Sequence, residues 1–239
     1  MNLHVNNTIC GQELMSVYET PELIDRLKGY NSGRMLVASD IDDTMVLSPT
    51  KILVLRSIPK FWRWGSHPKW ILDLAVIFER ACREGWSKEQ IEDFSLNYAK
   101  ENVLEHFSED FLRGIVQREA PSFFKGVPEV MGYFAKAEKV LVTRGFREVG
   151  KHYAGMLKID SVYHFSEDKT RDILRHISGR GIEGILYFGD LSNDAEVVRN
   201  LRSEGYNTDF VQVSNKKNYF PEATIVIPRD WRVFEGLLK

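Results

Sequence analysis

A chain of 239 residues that is 43% hydrophobic, 28% charged and 12% aromatic can bury a substantial core and lacks the apolar deficit of a disordered chain. Lys and Arg number 32 against 34 Asp and Glu, a net charge of -2, so no global field points to nucleic acid or to a strongly acidic partner. Two distant cysteines, Cys10 and Cys82, fit neither a disulfide framework nor a paired zinc site; with no secretory signal and no run long enough to span a membrane, the expectation is a cytoplasmic, soluble protein.

Along the chain, Thr20, Pro21 and Glu22 read as an N-cap, a first-turn Pro and a first-turn acid, predicting a short helix through Leu23, Ile24 and Leu27 to Gly29. The almost wholly apolar run 35–39 predicts a strand buried on both faces. It delivers Asp40, Asp42 and Asp43 into a turn marked by Thr44. From about 48 to 120 the apolar residues recur at helical spacing instead: Trp70, Leu74, Ile77, Phe78 and Ala81 mark one face, Ile91, Phe94 and Tyr98 another, and Phe107, Phe111, Leu112 and Ile115 a third. Ser87 and Gln90 have capping-box spacing. After Pro121, strands predicted at 139–143, 161–164, 184–188, 209–213 and 224–227 alternate with helices at 128–137, 147–157, 170–178, 193–204 and 231–238.

That alternation predicts an α/β fold, a Rossmann-like parallel sheet with helices on both faces, with an all-helical cap inserted after its first strand. The expected division is a core of residues 1–47 and 121–239 and a cap of residues 48–120. Ligands of such sheets sit beyond the C-terminal ends of the strands. Four of those ends carry reactive groups: Asp40 and Asp42; Thr143, Arg144 and Gly145; Lys169; and Asp190, Asn193 and Asp194. Carboxylates crowded together repel one another, which a divalent cation or a proton shuttle would relieve. Taken singly, each is also an ordinary turn or capping residue.

In this order the four segments resemble the successive motifs of the haloacid dehalogenase (HAD) superfamily, specifically its phosphatases with a helical cap between the first and second motifs, as in the phosphoserine and phosphoglycolate phosphatase-like branches. The resemblance spans residues 35–200. It implies that Asp40 attacks phosphorus to form an aspartyl-phosphate and that Asp42 serves as acid and base. It also implies that Mg²⁺ is held by Asp40, the Asp42 carbonyl and Asp190, with Asp194 behind or through water. Thr143 and the Arg144 N–H would bind a phosphoryl oxygen, Lys169 would balance charge, and Asn193 would orient substrate. Asp42 separates the chain from the dehalogenases, whose leaving halide needs no proton. The Arg144 side chain departs from the small or amide residue common in the family, and it would clamp a second anionic group or pair with a core acid.

Between Thr44 and Leu72 no acid occurs, while Lys51, Arg56, Lys60, Arg63 and Lys69 stand among Phe61, Trp62, Trp64 and Trp70. This segment would attract phosphorylated substrates, stack an aromatic moiety, dock an anionic surface, or anchor the cap by its rings. A closing cap favours a small phosphorylated metabolite over a phosphoprotein, with no nucleic acid or membrane partner expected and a monomer or homodimer as the working state. The leading expectation is a Mg²⁺-dependent phosphatase acting on a small phosphomonoester. A phosphotransferase or phosphomutase on the same scaffold, or a non-catalytic phosphometabolite-binding protein, are the alternatives.

Overall fold

A computed structural model describes residues 8–9, 12–13, 21–49, 76, 79–87, 90–91, 94, 97–98, 108–159, 161–215 and 219–238. The chain divides into two compact units, residues 1–48 with 121–239, and residues 49–120.

The first unit holds a six-stranded, wholly parallel sheet. Two short strands, β1 (Thr8–Ile9) and β2 (Gln12–Glu13), pair antiparallel and precede helix α1 (Pro21–Gly29) and the first sheet strand, β3 (Met35–Ser39). After the insertion come α3 (Val127–Tyr133), β4 (Glu138–Val142), α4 (Arg147–Leu157), β5 (Ser161–Tyr163) and α5 (Lys169–Ile177). The chain ends with β6 (Gly184–Gly189), α6 (Ser192–Ser203), β7 (Asn207–Val213), β8 (Ile225–Ile227) and α7 (Arg232–Leu238). Between α1 and the rest lies α2 (Glu109–Glu119), which belongs to the inserted unit.

Strand order is β5-β4-β3-β6-β7-β8, so β3 is central and the chain winds outward from it in one direction and then in the other. That reversal opens a crevice at the C-terminal ends of β3 and its neighbours. Alternate residues face opposite layers. Leu36, Ala38, Val140, Val142, Ile185 and Tyr187 pack with Ile173 and Ile177 of α5 and Val198 and Leu201 of α6. On the opposite layer Phe188 stacks on Trp231 at 4.6 Å and meets Phe234 of α7 edge-on at 5.6 Å. Asp209 of β7 is buried, yet satisfied: Oδ1 accepts from Arg26 Nη2 (2.9 Å) and Thr224 Oγ1 (3.0 Å), and Oδ2 accepts from the Tyr30 hydroxyl (3.0 Å). It ties α1 to the sheet.

Several predicted boundaries move for local reasons. The helix expected over 128–137 stops at Tyr133, because Phe134 leaves helical geometry and Ala137 N–H closes a turn onto the Phe134 carbonyl. Both residues are buried there, so their apolar spacing continued past the helix itself. Strand β7 begins at Asn207, two residues before the expected 209. Gly126, at φ 87, opens α3 where an added Cβ would lie 2.5 Å from Arg232 N, so only glycine fits.

In the second unit the described residues 79–84 and 109–119 are helical, and Ser108 caps α2 by accepting from Phe111 N–H at 3.3 Å. The capping box expected at Ser87 and Gln90 forms in both directions, at 2.8 and 3.2 Å. Ala81, Ile115 and Val116 are buried, and the Trp86 and Phe94 rings lie 5.6 Å apart. Trp70, Leu74, Ile77, Phe78, Phe107 and the basic aromatic segment 51–70 lie outside the described residues. Among the described residues, no helix is long and apolar enough to cross a membrane.

Candidate active site

The turn after β3 is built by its own backbone. Asp40 N–H still donates to the Phe188 carbonyl at 3.0 Å, as the last rung of the β3–β6 ladder. The chain then curls back: Met45 and Val46 N–H donate to the Ile41 carbonyl (3.0 and 3.3 Å), and Asp43 N–H donates to the Val46 carbonyl (2.8 Å). The curl sets Asp43 at φ 57, a left-handed conformation that Asp tolerates better than most side chains. Thr44, fully buried, donates its hydroxyl to Asp190 Oδ1 at 3.2 Å and so links this turn to the one after β6.

Asp42 is half-buried, and two hydroxyls approach its carboxylate: Ser48 Oγ at 3.4 Å from Oδ1 and Thr143 Oγ1 at 3.5 Å from Oδ2. Thr143 is held at the end of β4, where its N–H donates to the Tyr163 carbonyl and its Oγ1 accepts from Gly145 N–H at 2.9 Å. Arg144 lies half-buried directly after it.

Lys169 opens α5, behind the N-cap Asp168, and is buried. Its Nζ donates to Asp194 Oδ1 at 2.7 Å and lies 3.1 Å from Asp40 Oδ2. Asp194, fully buried on the first turn of α6, receives three more donors: the Tyr187 hydroxyl on Oδ1 (2.8 Å), and Asp190 and Leu191 N–H on Oδ2 (3.0 and 3.1 Å). A carboxylate offers about four lone-pair positions, and these four donors occupy them. Gly189 permits this closeness, since a Cβ there would stand 2.4 Å from the Asp194 Cβ.

Burial dominates the electrostatics. It pushes the Asp40 carboxyl up to about 7, Lys169 opposes the rise, and Asp194 and Asp42 add to it. Burial alone would depress the Lys169 ammonium, but Asp194 and Asp40 outweigh it and hold that pKa above its ordinary value. Burial, then Asp194, keeps Tyr187 protonated and therefore a donor. Replacing Tyr187 by Phe strands one buried lone pair of Asp194, which should cost about 1–3 kcal/mol in urea denaturation. An unchanged midpoint would mean that the remaining three donors suffice.

Asp40 Oδ1 is buried and has no hydrogen-bond partner. Carboxylate oxygens of Asp40, Asp190 and Asp194 come within 4.8 Å of one another. An all-oxygen, anionic donor set of this kind suits a hard divalent cation such as Mg²⁺, and it would compensate the charge that burial disfavours on Asp40. Because its lone pairs are taken, Asp194 is placed to support such a site rather than to ligate directly. Asn193 is half-buried on the same turn of α6, with Oδ1 buried and unpartnered.

Lys169 thus joins Asp40 to Asp194, which accepts from Asp190 N–H, while Asp42 meets Thr143, so residues from four strand ends gather in two contact groups joined by the turn that carries Asp40 and Asp42. Three supports of this site were not assigned that role from the sequence. Neither Ser48 nor Tyr187 was given a part in the site, Tyr187 being indistinguishable from its apolar strand neighbours, while Thr44 read as the turn marker that closes the first motif.

No family model matches the chain, and no curated protein matches it by sequence. Solved structures match its fold. It is similar to a phosphoserine phosphatase solved as a phospho-aspartyl intermediate analogue, with 17% identity, 87% of this chain and 100% of that chain covered, and a TM-score of 0.58. A substrate-bound phosphoserine phosphatase complex gives 17% identity, 85% and 98% coverage, and a TM-score of 0.57. A HAD family hydrolase from Salmonella enterica serovar Typhi gives 12% identity, 87% and 77% coverage, and a TM-score of 0.54. The likeness at these identities is one of fold: the chain has the α/β fold of these phosphatases and hydrolases.

Proposed function

We propose that this chain is a Mg²⁺-dependent phosphatase of the HAD superfamily, acting on a small phosphomonoester through an aspartyl-phosphate. The observation that carries the reading is Asp40: a buried carboxylate with one oxygen on the Lys169 ammonium and the other without a partner, at the end of the central strand. Its fold neighbours include a phosphoserine phosphatase solved as a phospho-aspartyl analogue and one with substrate bound, which supports a small phosphorylated substrate.

In the proposed reaction an Asp40 oxygen bonds to phosphorus as the ester P–O bond breaks, and Asp42 gives its proton to the departing oxygen. Asp42, now a carboxylate, takes a proton from water as that water's oxygen attacks phosphorus, releasing phosphate and restoring Asp40. Thr143 and the Arg144 N–H would hold a phosphoryl oxygen, and Lys169 would offset charge on the nucleophile and the transferring group. Arg144 and Asn193 would meet the substrate at the site's edge.

Asp40, Asp190 and the Asp42 carbonyl would hold Mg²⁺, with Asp194 fixing the turn behind them. When bound, the cation supplies charge neutralisation at the phosphoryl oxygens. EDTA should abolish hydrolysis and Mg²⁺ restore it. Mg²⁺ alone should also raise the thermal midpoint of the chelated protein, a readout independent of turnover. Metal-independent hydrolysis with no thermal response would remove the proposed site.

A further inference from the structure

The third carboxylate of the turn, Asp43, has no place in that reaction, yet it stands beside the residue given the proton-transfer role. A bare negative charge there would oppose an incoming phosphate dianion. The chain meets it from the far end of the sequence: Arg229 Nη2 lies 2.9 Å from Asp43 Oδ1. The pair is largely shielded, with side-chain exposures of 12% for Asp43 and 35% for Arg229.

Arg229 is itself held. Its N–H donates to Asn215 Oδ1 at 3.1 Å, and its guanidinium carbon lies 5.3 Å from the centre of the Phe124 ring. Phe124 in turn donates its N–H to the Met45 carbonyl at 2.8 Å, while Phe123 bridges to Val46. Two residues beyond Arg229, Trp231 N–H donates to the Lys125 carbonyl at 2.7 Å. The segment between β8 and α7 is thereby fastened to residues 123–126, and those residues to the catalytic turn. Lys169 thus faces Asp40 and Asp194, and Arg229 faces Asp43.

We propose that Arg229 is a positioning residue for substrate binding, which acts by cancelling the charge of Asp43 so that the turn accepts a phosphate dianion beside Asp40 and Asp42. This inference rests on the phosphatase reading. It predicts that losing the guanidinium harms the site only while Asp43 keeps its charge. Asn at position 43 tolerates the left-handed conformation and retains an acceptor for Arg229, so it isolates charge from shape.

The test compares wild type, Arg229→Met, Asp43→Asn and the double variant, using p-nitrophenyl phosphate with Mg²⁺. Arg229→Met should lower kcat/KM by about tenfold or more, chiefly through KM. Asp43→Asn should stay within about threefold of wild type, and the double variant should return to that range. Added salt should narrow the Arg229→Met deficit. A merely structural pair would lower the thermal midpoint of Arg229→Met and leave KM unchanged; that result, or a double variant as poor as Arg229→Met, overturns the inference while leaving the phosphatase reading in place.

A second measurement separates the two if the ester is not hydrolysed: the thermal shift produced by Mg²⁺ with beryllofluoride, a mimic of the aspartyl-bound phosphoryl group. A wild-type shift that Arg229→Met loses and the double variant regains supports the inference even where hydrolysis fails. A shift equal in all four proteins, or no shift in any, overturns it.

Discussion

Asp40→Asn is expected to lower kcat for phosphate-ester hydrolysis by about 10⁴-fold or more, while the protein stays folded. The amide cannot form the acyl-phosphate, and no neighbouring carboxylate stands in the same place: Asp194 is saturated with donors, and Asp43 is paired with Arg229. Folding should tolerate the change because the native environment already disfavours the Asp40 charge, burial having pushed its carboxyl up to about 7. The sign follows from linkage. A carboxyl with a raised native pKa takes up a proton on folding, so metal-free wild type should gain stability as pH falls from 8 through 7, and Asp40→Asn should lack that part of the gain. Thermal melts in EDTA across that range, with kcat measured in Mg²⁺, read both effects. Substantial turnover by the variant would remove Asp40 as nucleophile.

How much of this was legible depends on how local each feature is. The strand 35–39 and the helix 147–157 are found where their patterns put them, because burial on both faces and a 3.6-residue period are written in the neighbouring side chains. The Ser87 box was legible for the same reason, its two partners being three residues apart. The four reactive strand ends could be named because a parallel sheet fixes which end of each strand carries function.

What brings those ends together was not legible in the same way. Tyr187 differs from the apolar residues around it by one hydroxyl, and only the fold shows that this hydroxyl meets Asp194. Arg229 lies 186 residues from Asp43, in a segment without a motif. Asp209 sat within a predicted strand, and a buried acid there is intelligible only once Arg26, Tyr30 and Thr224 are seen around it. Pattern locates elements; long-range polar partners are set by packing that no short window contains.

Lys169→Met should be the most damaging single change, because it affects the fold and the chemistry together. Removing the ammonium leaves Asp40 Oδ2 and Asp194 Oδ1, both buried, without their cation, and breaking a buried ion pair in this way costs about 3–5 kcal/mol. Methionine has nearly the length and bulk of the lysine stem, so the loss reports charge rather than a cavity. The wild-type Lys169 pKa is raised, so its contribution is constant below about pH 10. Any pH dependence of the difference therefore comes from Asp40, whose carboxyl loses the Lys169 charge that opposes its rise. Asp40 would bind a proton more readily in the variant, so the deficit should be greatest near pH 8 and shrink toward pH 5. Lys169→Arg should not rescue it, because a planar fork cannot replace a compact ammonium lodged between two carboxylates. In Mg²⁺ the folded fraction of Lys169→Met should turn over about 10²- to 10³-fold more slowly, the usual scale for losing one preorganised charge at a developing oxyanion. Urea denaturation at the two pH values separates the parts: equal deficits at pH 5 and 8 would show that the carboxylates had found other compensation, and that Lys169 is not the charge partner its position implies.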